Sequence, residues 1–178
     1  MSLDASKVEV AVTGAVYLAP LGTTGPTDSE IALNAAFKAV GYISEDGITE
    51  TPEEDTTEIR AWQNGDIVRR VLSSHEIQYQ FTMIETNEVT LEAYYGNYDA
   101  GDVVVTGEQL PRQALVIETI DDGKIRRRFA PVAQVVERGE VQLTNDEATG
   151  FEVTFTCYPD TNGGKVYIFA PADVGSGS

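Results

Sequence analysis

Two stretches of this chain alternate strictly between apolar and polar residues, and a period of two restricts them to β-strands. From His75 to Met83 the apolar side is Ile77, Tyr79, Phe81 and Met83, and the polar side is Glu76, Gln78, Gln80 and Thr82. From Phe151 to Cys157 the polar side is Glu152, Thr154 and Thr156. Successive side chains of a strand point to opposite faces. Each stretch therefore predicts a half-buried strand, with Cys157 pointing into the core.

The rest of the chain also predicts strands joined by tight turns. The other predicted strands are Val8 to Leu18, Ile59 to Gln63, Ile67 to Leu72, Ala114 to Ile120, Ile125 to Val136 and Val166 to Ala170. Turns are predicted at 64–66, 121–123 and 162–164, where the residues tolerate positive φ. Two short helices are predicted, one from the capping box Thr27 to Glu30 up to Gly41 and one from Asn87 to Tyr95. The sequence thus predicts a mainly β fold, an antiparallel β-sandwich or partly rolled barrel with one or two short flanking α-helices.

Length and charge restrict the number of domains and the kinds of partner. The chain has 178 residues and a net charge of −17, which argues against a protein that grips nucleic acid through clustered bases. The same charge suits a conduit, since an acidic wall does not retain a polyanion. We expect a single domain over residues 1–172 and a flexible tail at 173–178. No signal-peptide core and no run of about 18 apolar residues occurs, so we expect a soluble protein made in the cytoplasm, with no membrane partner.

Residues suited to catalysis or to metal binding are scarce. The chain has one histidine, His75, and one cysteine, Cys157, which excludes a His-rich zinc site, a thiolate cluster and an intrachain disulfide. No phosphate-binding loop, dinucleotide fingerprint or nucleophile elbow occurs. We therefore predict a protein that is not an enzyme, with no catalytic residues, no metal and no cofactor.

The segment 43–58 is rich in acids and contains no base. The acids are Glu45, Asp46, Glu50, Glu53, Glu54, Asp55 and Glu58. Like charges at this spacing repel one another and weaken a compact monomer. We therefore predict that the segment is a loop that contacts another molecule.

The bases are clustered at Arg69–Arg70 and at Arg126–Arg128. In a strand, Arg126 and Arg128 lie on one side and Arg127 on the other. In one interpretation these arginines form a solvated strand edge. In the other, Arg69, Arg70, Arg126 and Arg128 bind the acidic segment of another copy, because guanidinium groups pair well with carboxylates. Both interpretations stay open at this point.

Several motifs resemble one family over most of the chain. They are GAVYLAPLGTTGPTD at 14–28, Ala36-Phe37, GYISEDGITET at 41–51, LEAYYGN at 91–97 and RRRFAPVAQV at 126–135. In this order they resemble the major tail (tail tube) proteins of long-tailed bacteriophages, in particular those of actinobacteriophages.

The resemblance implies a structural virion protein that self-assembles into stacked hexameric rings. The rings form a hollow tube through which phage DNA passes, and the tube is assembled in the host cytoplasm. Its partners are further copies of itself, the tape measure, tail terminator and distal tail proteins, and DNA as a non-specific passenger. The acidic segment corresponds to a loop that reaches the next ring. The alternative function is a β-sandwich binding or adhesion module.

One surface is the candidate wall of such a lumen. The polar sides of the two alternating strands contain no base, and a cation there would hold each passing phosphate. The candidate lumen-facing residues are Glu76, Gln78, Gln80, Thr82, Glu152, Thr154 and Thr156.

Overall fold

A single antiparallel sheet, which folds over on itself, makes up most of the structure. The structure is a computed structural model that describes residue 3 and residues 5–171. Its elements are a 3-10 helix (Ala5–Lys7), β1 (Thr13–Pro20), β2 (Lys38–Ala39), β3 (Ile43–Arg60), β4 (Ile67–Met83), α1 (Glu88–Tyr95), β5 (Gln113–Asp121), β6 (Lys124–Arg138), β7 (Phe151–Tyr158) and β8 (Tyr167–Phe169). The strand order is β2-β1-β5-β6-β7-β4-β3, and β8 pairs with β6. The predicted mainly β, antiparallel fold class is confirmed, whereas the predicted tail at 173–178 lies outside the described residues.

The sheet turns over at β6, which is shared between its two halves. Residues 124–133 of β6 pair with β5, whereas residues 132–138 pair with β7. Apolar side chains of β1 and β5 therefore pack against those of β4 and β7. The fully buried side chains of this core include Val16, Leu115, Ile117, Tyr79, Met83 and Phe155. A smaller cluster around Phe37, Val116 and Phe129 lies on the other side of β5 and β6.

The two alternating stretches are strands with the predicted inward faces. Tyr79, Phe81 and Met83 are buried, and Cys157 is 1% exposed. Other bounds differ from the prediction. Residues 67–72 and 75–83 form one strand, β4, residues 59–60 end β3, and β1 begins at Thr13 rather than at Val8.

The predicted turns have the expected backbone conformations. Asp122 and Gly123 have φ of 46° and 78°, as a two-residue hairpin turn between Asp121 and Lys124 requires. Asn64 and Gly65 have φ of 61° and 69° and belong to a longer loop between Arg60 and Ile67. The two-residue turn joins β5 to β6 and the longer loop joins β3 to β4. Residues 162–164 also form a turn, but it does not join paired strands, because β8 pairs with β6 and not with β7.

The helix predicted at 87–95 is confirmed as α1. Asn87 caps its first turn by accepting a hydrogen bond from the Thr90 N–H at 3.0 Å, and Gly96 ends it with φ of 91°. Such an N-cap and a left-handed C-cap satisfy the free backbone groups of a helix. The helix packs Ala93 and Tyr94 onto the core.

The first predicted helix, after Thr27, is wrong. The Asp28 carboxylate accepts hydrogen bonds from the N–H groups of Glu30 and Ile31, at 2.8 and 2.6 Å. The carbonyl groups of Asp28 and Ile31 accept from Arg127. In a helix these carbonyls would accept from N–H groups four residues later, whereas here Arg127 satisfies them and the segment is an irregular strap that reaches β2.

Candidate functional site

The candidate lumen residues of the two alternating strands lie together on one face of the sheet. Because β4 pairs with β7, Gln78 lies opposite Thr156, Gln80 opposite Thr154, and Thr82 opposite Glu152. Thr154 and Thr156 are nevertheless buried, at 7% and 4% exposure, whereas Glu76 and Gln80 are exposed. The outer neighbours continue this face of the sheet, with Gln134 buried as well and donating to the Leu110 carbonyl. Thr49, Thr51 and Glu53 of β3 and Gln134 and Glu137 of β6 are in register with it. We call these side chains, together with Glu76, the polar face.

The polar face consists of acidic side chains and of uncharged polar side chains. Its carboxylates are Glu53, Glu76, Glu137 and Glu152, and none of its members is Lys or Arg. Glu53 lies directly opposite Glu76, and like charges so placed repel each other. Such a surface attracts no phosphate.

The acidic segment is not the predicted loop, because residues 43–60 form the strand β3. Fourteen residue pairs join β3 to β4. Alternation along the strand sends neighbouring acids to opposite faces of the sheet, which reduces the repulsion expected from the sequence. Glu53 and Asp55 lie on the side of the polar face, and Glu50 and Glu54 lie on the other side.

Several of the acids have partners in the same chain. Glu58 pairs with Arg60 and Arg70, each at 2.9 Å, and Glu54 lies 3.6 Å from the His75 ring nitrogen. These pairs are largely exposed, so each contributes little to stability. They explain how the strand tolerates its charge, whereas its role in ring stacking stays a prediction.

Glu50 contacts side chains of two other strands. It accepts hydrogen bonds from the buried Tyr79 hydroxyl at 2.8 Å and from the Arg128 Nε at 2.9 Å. Burial, followed by the hydrogen bond to Glu50, raises the pKa of Tyr79 well above its usual range. Glu50 thus links β3 to β4 and to β6, with its own carboxylate and the Arg128 guanidinium partly exposed.

Three of the four arginines proposed as inter-subunit partners have partners within the chain. Arg70 pairs with Glu58, Arg126 with Glu9 at 2.9 Å, and Arg128 with Glu50. Arg69 lies next to Ile59 in register on β4. A role of these arginines between subunits stays a prediction.

A hairpin arm projects beyond the sheet. β7 accompanies β4 only as far as Ile77, so residues 53–76 continue as two strands with no third strand among the described residues. At about 3.3 Å per residue the paired part extends about 25 Å. The exposed large apolar residues of the arm are Ile59, Trp62, Ile67, Val68, Val71 and Leu72. A two-stranded ribbon with this surface is marginal in water.

Sequence reasoning missed the contribution of β3 and β6 to the polar face. Thr49, Thr51 and Glu53 are spaced by two residues, which is a strand signal, but the surrounding acids hide it. Gln134 and Glu137 are three residues apart because a bulge follows Val135. A bulge of this kind cannot be predicted from the period alone.

Two further types of site are absent from the part of the chain that the structure describes. No group of three or more His, Cys, Asp or Glu side chains in this part of the chain could hold a metal ion. No helix in the same part is long and apolar enough to cross a membrane.

Comparisons with known proteins agree with this geometry. The model of a family described as phage tail tube protein matches residues 1–175. No curated protein sequence matches the chain. Among solved structures, a chain of the PVC sheath/tube terminator, from an extracellular contractile injection system in the extended state, aligns with a TM-score of 0.51 at 10% identity, over 94% of this chain and 100% of that chain.

Two other solved structures are similar at lower scores. A chain of the PVC sheath-tube complex aligns with a TM-score of 0.48 at 11% identity, over 95% of this chain and 99% of its own length. A chain from the tail of an empty GTA particle aligns with a TM-score of 0.46 at 11% identity, over 88% of this chain and 95% of its own length.

Proposed function

This chain belongs to the phage tail tube protein family, and we propose that six copies close into a ring by joining the edges of their sheets. It is a structural protein of the phage tail, which decides against the alternative of an adhesion module. One long and one short strand edge support ring closure, namely the 18 residues of β3 and residues 134–138 of β6. β3 ends the strand order, and β6 beyond Ala133 no longer pairs with β5. Open edges of this length pair readily with another chain, and a closed ring leaves none unpaired.

The polar face lines the lumen in this proposal, and DNA passes along it. The observation that carries the proposal is the register of β3, β4, β7 and β6, which places acidic and neutral side chains side by side with no base among them. A wall without cations releases no counterions and holds no phosphate. The passage of DNA therefore meets no electrostatic trap.

The arm joins one ring to the next in this proposal. The sequence assigned ring stacking to the acids from Glu45 to Glu58. We assign this role to the arm instead, which includes the acids from Glu53 onward. We infer further that the tube contacts the tape measure, tail terminator and distal tail proteins, that it assembles in the host cytoplasm, and that it works without catalysis. An origin from an actinobacteriophage stays a prediction from the sequence motifs.

Electron microscopy of concentrated protein tests the assembly. We expect hollow tubes with six-fold symmetry in end-on views. Dispersed globular particles at every concentration and salt condition would contradict the proposal.

Thiol labelling of the tubes tests which face is inside. We expect a Gln80→Cys variant to react with a small maleimide in assembled tubes, but not with a maleimide attached to a protein wider than the lumen. Leu143→Cys is the matched control, because Leu143 is 82% exposed and lies outside the sheet. Equal labelling of both variants by the large reagent would exclude the polar face from the lumen.

A further inference from the structure

A slot of about 670 Å³ lies between the start of β1 and the start of β3. Its lining includes Val12, Tyr42, Ser44, Glu45, Ile48 and Glu85. The lining is partly apolar and includes the carboxylates of Glu45 and Glu85. A volume of this size accommodates a large side chain and its neighbours.

The slot contains a polar group without a partner. The Ser44 hydroxyl is buried, and it is the buried side-chain atom of the described residues that makes no hydrogen bond. It lies in a wide bulge, where residues 44–47 of β3 face only Thr82 of β4. Buried hydroxyls without partners are rare, because they lose their hydrogen bonds to water.

The tip of the arm carries a side chain that suits the slot. Trp62 is the single tryptophan of the chain and is 96% exposed. Its indole N–H is a donor with no acceptor among the described residues. It can satisfy the Ser44 hydroxyl oxygen once the Ser44 side chain, whose oxygen is closed to solvent here, rotates toward the slot. Exposed tryptophans of this kind are frequent anchors of protein interfaces.

Charge is also complementary between the tip and the slot. Arg60, Arg69 and Arg70 lie near the end of the arm, together with the acids Glu58 and Asp66. Arg60 and Arg70 both pair with Glu58, so Arg69 is the base of the tip considered for the slot. Glu45 and Glu85 line the slot, and Asp46 lies in the same bulge. Opposite charges at the rim of an interface accelerate association and select the partner.

The tip cannot enter the slot of its own chain. From Ile48 to Arg60 the strand β3 runs for 12 residues, about 40 Å at 3.3 Å per residue. The slot and the tip therefore lie at opposite ends of one long strand. A contact between two different surfaces of identical molecules is heterologous, and it either closes into a ring or continues as an open filament. Between stacked rings such a contact continues along the axis.

We propose that Trp62 of each copy docks into the slot of a copy in the adjacent ring and donates its indole N–H to Ser44. This inference rests on the proposed function and specifies the receptor of the arm. It also assigns Arg69 of the arm a carboxylate partner, at the bulge that contains Glu45 and Asp46.

Tryptophan fluorescence tests the docking directly, because Trp62 is the only tryptophan. We expect the emission to shift to shorter wavelength, and quenching by acrylamide to fall severalfold, when tubes form. If wild-type tubes form while Trp62 stays quenchable, the inference is overturned and the proposed function stands. If no tubes form, the proposed function fails, and cross-linking still tests the pairing.

Cross-linking of mixed variants, each with one introduced cysteine beside the buried Cys157, uses sites that keep Trp62 and Ser44 intact. Under oxidation we expect a mixture of Gln63→Cys and Glu45→Cys to give covalent dimers. A mixture of Gln63→Cys with Leu143→Cys is the matched control and should give few. Equal yields from both mixtures would overturn the inference.

Substitutions at the two contact residues separate docking from folding. We expect Trp62→Ala to raise the critical concentration for tubes about tenfold or more and Leu143→Ala to leave it unchanged. Ser44→Ala should weaken tube formation without lowering the denaturation midpoint of the monomer. Wild-type assembly by Trp62→Ala would contradict the inference.

Discussion

At the scale of single residues, Arg127 holds the irregular strap to the sheet. It is 4% exposed and pairs with Glu118, 8% exposed, on the neighbouring strand β5. Its Nε donates to Glu118 at 2.8 Å, and its Nη1 donates to the carbonyls of Asp28 and Ile31, both at 2.9 Å. The guanidinium thus replaces the water that a buried carboxylate and two free carbonyls would need.

Replacing Arg127 should destabilise the monomer strongly. We expect Arg127→Met to lower the free energy of unfolding by about 3–5 kcal/mol, because Glu118 would stay buried without its partner. The double variant Arg127→Met with Glu118→Leu should recover part of the loss, since it removes both buried charges. Urea denaturation measures both values, and a double variant less stable than the single one would contradict this account.

Cys157 should resist modification until the protein unfolds. Burial, followed by the nearby Glu50 carboxylate, raises the pKa of the Cys157 thiol from 9.0 to about 12. The thiolate is the reactive form, so we expect no reaction with a thiol reagent at pH 8 and full reaction in denaturant. Rapid labelling of the native protein would show that the strand β7 opens.

The same thiol predicts how stability depends on pH in the alkaline range. The unfolded chain releases the proton near pH 9, whereas the folded chain keeps it to about pH 12. The contribution of the Cys157 thiol to the free energy of unfolding is therefore complete below pH 9. It is lost as the pH rises from about 9 to 12. Cys157→Ala should flatten this part of the profile measured by chemical denaturation.

At the scale of elements, the arm can be separated from the rest of β3. Residues 43–52 pair with a part of β4 that belongs to the core, where Ile48 lies opposite Phe81. Residues 54–75 lie beyond β7. We expect that joining Glu53 to Glu76 through an Asn-Gly turn leaves a folded subunit that does not form tubes.

Circular dichroism and electron microscopy measure the two parts of this prediction. The shortened chain should keep a cooperative thermal transition, because the buried core residues are retained. Removing all of 45–58 is the contrasting variant and should unfold the subunit, since it deletes an edge strand. Long tubes from the shortened chain would show that the arm does not stack rings.

At the scale of the whole molecule, a base on the polar face should impede DNA. Gln80 is a better position than Glu76, because Gln80 lies between Thr49 and Thr154, whereas Glu76 lies opposite another acid, Glu53. A lysine at Gln80 has no carboxylate directly beside it. In a hexameric ring, Gln80→Lys would therefore place a cluster of bases on the lumen wall.

We expect virions built with Gln80→Lys to have normal tails and to release their DNA more slowly, most clearly at low salt. Salt screens the attraction, so added salt should restore the rate. Gln80→Leu is the matched control for size without charge. Equal release rates for wild type and Gln80→Lys at low salt would contradict the assignment of the lumen wall.

The sequence by itself determined the strands whose two faces differ in polarity. At 75–83 and 151–157 a one-residue slip would expose every apolar side chain, so local order alone selects the strand and its inward face. The turns at Asn64–Gly65 and Asp122–Gly123 follow from the residues that accept positive φ. The cap of α1 by Asn87 is also a local interaction.

The tertiary structure decided the conformation of the acidic segment and of the strap. Segment 43–58 has no apolar alternation over most of its length. It is a strand because β4 supplies its hydrogen bonds. Arginines of β4 and β6 also form ion pairs with Glu58 and Glu50. The strap has a helix-capping sequence, yet Arg127, about 100 residues later, takes the carbonyls that a helix would use. Both outcomes depend on partners distant in sequence, which no local pattern contains.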